Sequence, residues 1–172
     1  GTNNLEAYLK YLKARENINK LNAEGNALGK ELAQQAIDLD SQFAMAYRIL
    51  AAGYRMDMFL GTSKSPKQSM GMCIKLLKKA IELDETYAEA YGALGFTFSI
   101  IGKHDEAIAT AEKAISLDPN SATTYAMLGH TFRMADRPKE AITSYTKAIR
   151  LNPLPPSFYL FGLGLSYSLD GQ

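Results

Sequence analysis

The sequence predicts an all-α fold, a solenoid built from one helix–turn–helix unit used several times over. Three observations carry this. The segment Ala107–Pro119, AIATAEKAISLDP, returns 34 residues later (107 to 141) as Ala141–Pro153, AITSYTKAIRLNP. Upstream of the first copy stand Tyr91, Leu94, Gly95 and Phe98, and at the same offset stand Tyr125, Leu128, Gly129 and Phe132. Both segments place an apolar residue every three or four positions, the stripe of an amphipathic helix. A fixed period of this length marks a repeat architecture, in which each unit buries its apolar face on its neighbours.

Each element can be justified in chain order. The first helix, about Asn4 to Lys20, shows Tyr8, Tyr11, Leu12 and Ile18 but lacks the Leu-Gly pair. Its partner is clear from Gly29 through Ala33 and Ala36 to Asp40, and about five extra residues lie near Leu21–Asn26. The second unit opens on Tyr47, Leu50, Ala51 and Tyr54 and closes on Cys73–Asp84, with about ten residues more than its neighbours between them. There, Ser65 as N-cap, Pro66 at the first helical position and Gln68 three after the cap predict a helix start. Both helices of this unit are therefore expected to be long, with a turn near 61–65. In the third and fourth units the turns fall at Gly102-Lys103 and Asp136-Arg137-Pro138. Pro119 and Pro153 stop the second helices, because proline cannot continue the hydrogen-bond ladder. Leu160, Leu163, Gly164 and Tyr167 open a fifth unit, shifted by one residue after Leu154-Pro155-Pro156.

Counted from Ala88 and from Ala122, the third and fourth units carry an aromatic at position 4, Leu at 7, Gly at 8 and an aromatic at 11. Ala follows at 20, Ala or Tyr at 24, Ala at 27 and Pro at 32. This pattern resembles the tetratricopeptide repeat at each of its signature positions, with Tyr in place of Trp at position 4. The resemblance implies a right-handed superhelix of antiparallel helix pairs, nine helices and no sheet. It divides the single domain 1–172 into repeats at about 5–43, 44–87, 88–121 and 122–156, with a half repeat at 157–172. The chain begins at Gly1 rather than Met and breaks off where a second helix is due, so a longer parent is expected. A narrower likeness lies in Asn4–Leu12, in the long second repeat with Ser65-Pro66, and in Arg150–Tyr159. These phrases are similar to the repeat region that follows the catalytic domain in bacterial class III adenylate/guanylate cyclase-like proteins. That resemblance implies a non-catalytic regulatory or docking arm; the cyclase's metal-binding carboxylates have no counterpart here.

Composition narrows the function classes. Nineteen Lys+Arg against 18 Asp+Glu give a formal charge of +1, with no basic run of the kind that nucleic-acid binding requires. No apolar run is long enough to span a bilayer. A single cysteine, Cys73, rules out an internal disulfide and suits a reducing, cytoplasmic compartment. Cys73 takes the small position filled by Ala107 and Ala141, so packing is its expected role. His104 and His130 lie too far from it in sequence to form a zinc pattern, and no metal or cofactor is expected. Gly95 to Gly102-Lys103 has the wrong spacing and no Ser or Thr for a phosphate loop. The carboxylates Glu82, Asp84 and Glu85 read as helix-end charges on solvated faces. No catalytic residue emerges, and the chain is not expected to be an enzyme.

The resemblance implies that each first helix lines an inner surface, with positions 2, 5, 9, 12 and 13 toward a partner. Those positions nominate Arg48 and Arg55 in the second repeat, Phe96 in the third, His130 and Arg133 in the fourth, and Phe161 in the half repeat. Taken with the other residues at these positions, the surface is mostly apolar and aromatic with three arginines, and its side chains are expected to be solvated. It departs from the Asn and Lys of the carboxylate clamp used by chaperone-binding relatives. The partner expected is a protein or peptide segment with apolar and some acidic side chains. A homodimer through the apolar residues 157–172 is a further expectation.

Overall fold

Nine helices, and no strand among the described residues, make up the computed structural model, which describes residues 1–171. They are α1 Leu5–Ile18, α2 Ala23–Leu39, α3 Ala44–Phe59, α4 Pro66–Leu83, α5 Ala88–Ile100, α6 His104–Leu117, α7 Ala122–Met134, α8 Pro138–Leu151 and α9 Ser157–Leu169. The chain divides into two compact units, Gly1–Glu85 and Thr86–Gln172.

In the N-terminal unit α1 pairs with α2 and α3 with α4, while α3 also packs on α1 and α2. Tyr11, Ala14, Ile18, Ala33, Phe43 and Leu50 form its core, with Tyr11 and Phe43 meeting edge to face at 5.3 Å. The segment near Leu21–Asn26 is not a loop insertion. Asn22 accepts a hydrogen bond from the Gly25 N–H at 2.7 Å, so α2 starts at Ala23, a turn and a half earlier than its periodicity suggested. Ser65 caps α4 through the Gln68 N–H, with Pro66 at the start of the helix, as its sequence predicted. The long second repeat is held by a buried polar cluster. Asp57, near the end of α3, accepts from Asn26 Nδ2 at 2.7 Å and from Thr62 Oγ1 at 2.9 Å, and pairs with Lys30. Its carbonyl takes the Thr62 and Ser63 N–H groups, closing the turn.

The C-terminal unit repeats one packing step. Helices α5 and α6 pair, α7 lies on both, α8 pairs with α7, and α9 lies on both of those. Gly95 lets α5 press on α6: a Cβ there would stand 2.8 Å from the Ala107 carbonyl and 3.1 Å from the Ala111 nitrogen. Gly129 does a different task. Position 24 of its repeat is Tyr145 rather than alanine, and a Cβ at Gly129 would meet that ring at 2.9–3.0 Å. The same ring presses on Gly162 in α9, where a Cβ would come within 2.7 Å of Tyr145 Cε1. Gly164, the position-8 glycine of the half repeat, has no atom within 4 Å of a Cβ.

Candidate interaction surface

The first helices of the C-terminal unit, α5, α7 and α9, pack in sequence, and their side chains at equivalent positions become neighbours. Position 9 brings Phe96 of α5 against His130 of α7, with ring centroids 4.4 Å apart. One turn on, Arg133 Nη2 lies 3.2 Å from His130 Nδ1. A guanidinium only donates, so His130 accepts through Nδ1 and carries its proton on Nε2, as a neutral ring. Arg133 also hydrogen-bonds the hydroxyl of Tyr145. Burial pushes the Tyr145 phenol up from its ordinary range, and the Arg133 charge and hydrogen bond oppose that rise. Phe96, His130, Arg133 and Tyr145 thus form one connected cluster. Phe161 is 69% exposed on α9, with Phe158 beside it 52% exposed.

Arg48 and Arg55 belong to the N-terminal unit, two turns apart on α3. Burial, with the like charge of Arg48, pushes the Arg55 guanidinium down, while a hydrogen bond and charge interaction with Cys73 favour its charged form. Cys73 is fully buried at its packing position.

The arginines therefore differ from the solvated groups expected of a groove. Arg55 is half-buried against Cys73, and Arg133 is half-buried between His130 and Tyr145. Phe161 alone among the six nominated residues stands largely in water. His104 is half-buried as the first residue of α6. Sequence reasoning missed Tyr145 beneath Arg133; the signal was its bulk at a position where the preceding repeat has Ala111. It also missed a buried hydroxyl at position 10 of each first helix in this unit. Thr97, Thr131 and Ser166 donate to the carbonyl four residues back, at 2.7, 3.0 and 2.8 Å. No group of His, Cys, Asp and Glu able to hold a metal ion occurs among the described residues. No helix among them is long and apolar enough to cross a membrane.

Comparison with known proteins agrees with this geometry. The tetratricopeptide-repeat family model matches residues 88–121 and 122–153. The crystal structure of TTC0263, a thermophilic tetratricopeptide protein of Thermus thermophilus, superposes with a TM-score of 0.80 at 17% identity, covering 95% of this chain and 82% of that one. A crystal structure of MamA protein gives 0.61 at 25% identity, covering 96% of this chain and 83% of the other. MamA 41-end from Desulfovibrio magneticus RS-1 gives 0.63 at 14% identity, over 99% and 88%. Among curated proteins, none matches the sequence significantly. The chain carries tetratricopeptide repeats at residues 88–121 and 122–153, and its helices fold as they do in solved tetratricopeptide proteins.

Proposed function

We propose that this chain is a protein-interaction module whose C-terminal unit holds a partner segment along α5, α7 and α9. The tetratricopeptide fold generally mediates contacts between proteins, and the observation that carries the reading here is the exposure of Phe158 and Phe161. Large aromatics presented to water in this way are typical anchors for a partner. Phe161 and Phe158 supply apolar contact area, Phe96 and His130 a pair of tilted aromatic rings, and Arg133 a charge for an acidic side chain. Arg48 and Arg55 offer a second basic area on α3. The partner is a peptide or protein segment with apolar anchors and some acidic residues. Affinity capture with the parent and with the Phe158→Ala/Phe161→Ala double variant tests this. Proteins held by the parent and lost by the variant are expected, and identical capture by both would refute it.

The exposure of Leu160 and Leu169 favours a second reading, a homodimer through residues 157–172, of which residue 172 lies outside the described residues. Light scattering at tens of micromolar separates the two. A mass that halves on Phe161→Glu supports the dimer; a monomer throughout removes it. The phrases Asn4–Leu12 and Arg150–Tyr159 support placing the module, in the cytoplasm, as the non-catalytic arm of a cyclase-like protein. A class III cyclase domain encoded in the same gene is expected, and its absence would refute that placement.

A further inference from the structure

Helix α4 gathers onto one face a charge that its sequence disperses. Residues 58–81 hold five lysines, at 64, 67, 75, 78 and 79, and no Asp or Glu. Positions 67, 71, 75 and 78 recur every three or four residues, so they fall on one stripe of the helix, and all four are exposed. The carboxylates that flank the segment are already engaged. Asp57 pairs with Lys30, and Glu82 pairs with Lys79 at 2.7 Å. Lys75 and Lys78 have no such partner among the described residues. Beside them runs a groove of about 620 Å³, lined only by residues of the N-terminal unit. Tyr47 of α3 with Ile74 and Leu76 of α4 give it an apolar lining. The Tyr47 hydroxyl donates to the Ser41 carbonyl at 3.1 Å, which fixes the ring. Gly71 leaves one end open, since a Cβ there would meet nothing within 4 Å.

The repeat architecture does not call for lysine at these places. Where the second repeat has Lys75 and Lys78, the first has Glu31 and Gln34, the third Ala109 and Glu112, and the fourth Thr143 and Thr146. The fourth repeat has a smaller groove against Tyr125, about 430 Å³, whose cations Lys147 and Arg150 stand at other positions. Lys147 there lies over the Tyr125 ring, 5.9 Å from its centre. We propose that the α4 groove docks an acidic segment of another protein, with an apolar side chain set between Tyr47 and Ile74 and carboxylates on Lys75 and Lys78. Charge complementarity selects the acidic partner, and the apolar lining selects one that also carries an anchor. A nucleic acid fits less well, because the groove offers one aromatic ring and no second platform for stacking bases. The site lies on α3 and α4, apart from α5, α7 and α9, and does not rest on the reading of those helices.

The test uses a fluorescein-labelled peptide, Asp-Glu-Leu-Phe-Glu-Asp, read by fluorescence anisotropy at low salt. Saturable binding is expected, weakening as salt is raised. The double variant Lys75→Glu/Lys78→Glu, which alters only exposed side chains, is expected to fold as the parent does and to bind about tenfold or more weakly. A peptide with Asn and Gln for its acids should lose binding, and so should one with Ser for Leu and Phe. Lys147→Glu/Arg150→Glu makes the same change of net charge at the smaller groove and should leave binding unchanged, as should Phe161→Ala. A flat titration to about 1 mM, equal binding of either altered peptide, or indifference to the Lys75→Glu/Lys78→Glu change would overturn the proposal. An equal loss with Lys147→Glu/Arg150→Glu or with Phe161→Ala would place the peptide on the C-terminal unit and overturn it too. Tighter binding of a thymidine oligonucleotide, abolished by the Lys75→Glu/Lys78→Glu variant, would make the partner a nucleic acid. A dimer seen by light scattering that the same variant dissociates would make it a second copy of the chain. Either result would overturn the assignment to another protein.

Discussion

Glycine does two opposite things in this chain, and what surrounds each α-carbon separates them. At Gly95 the neighbours are backbone atoms of α6, which cannot yield. Gly95→Ala is expected to lower stability by about 1–3 kcal/mol through overpacking, read as a drop in the thermal midpoint. Gly129→Leu should cost at least as much, since it displaces a Tyr145 ring already confined by Gly162. Gly71 and Gly164 are exposed helix positions with nothing within 4 Å of a Cβ. Alanine at either should raise stability by about 0.5–1 kcal/mol, because glycine costs entropy without a packing return. Tyr145 adds a pH dependence with a definite sign. Its folded pKa is raised by burial, so the unfolded chain releases the phenolic proton first as pH climbs. Stability from this group is full below pH about 10, the ordinary tyrosine value, and falls above it. Denaturant titrations at rising pH should show a steeper loss for the parent than for Tyr145→Phe; equal slopes would contradict the burial.

At the scale of the element, one device ends every first helix. Leu21, Gly61, Gly102, Asp136 and Gly171 all have positive φ, from +54° to +78°. The Gly102 N–H bonds the Ser99 carbonyl and the Lys103 N–H the Phe98 carbonyl; Asp136 and Arg137 repeat the pattern on Arg133 and Phe132. This left-handed cap satisfies carbonyls that the helix end would otherwise leave bare. Glycine enters it without strain, aspartate with little, and a leucine side chain with more. Leu21→Gly is therefore expected to stabilise by about 1 kcal/mol, and Asp136→Gly by less. Chemical denaturation of both variants checks the order. Asp136 and Gly102 were legible as turn residues because both are common breakers. Leu21 was not, since nothing in a leucine announces a left-handed backbone. The second helices end in another shared way, on Asp40, Asp118 and Asn152, whose side chains accept the backbone N–H two residues on.

For the molecule as a whole, groups nominated alike for binding should respond differently to substitution. Arg48→Glu, Arg55→Glu and Arg133→Glu together are expected to lower the melting temperature, because Arg55 contacts Cys73 and Arg133 contacts Tyr145 inside the fold. Phe161→Ala should leave it unchanged, as its ring is 69% exposed. Differential scanning calorimetry of the two variants tests the contrast; equal melting temperatures would mean the arginines are ordinary surface charges. The all-helical class, the repeat period, the turns and the N-cap at Ser65 could all be read from the order of residues, since they follow from local spacing and backbone preference. Gly95 and Gly129 were legible as close-contact positions for the same reason: only glycine suits a register where helices touch. What each side chain meets across a helix interface became visible only in three dimensions. There Gly129 has a tyrosine ring rather than a backbone as its neighbour, Asp57 joins Asn26 and Lys30 of α2, and Arg133 is drawn down onto Tyr145. Those partners come from other helices, and a one-dimensional period says that a side chain faces inward without saying which group will be there to receive it.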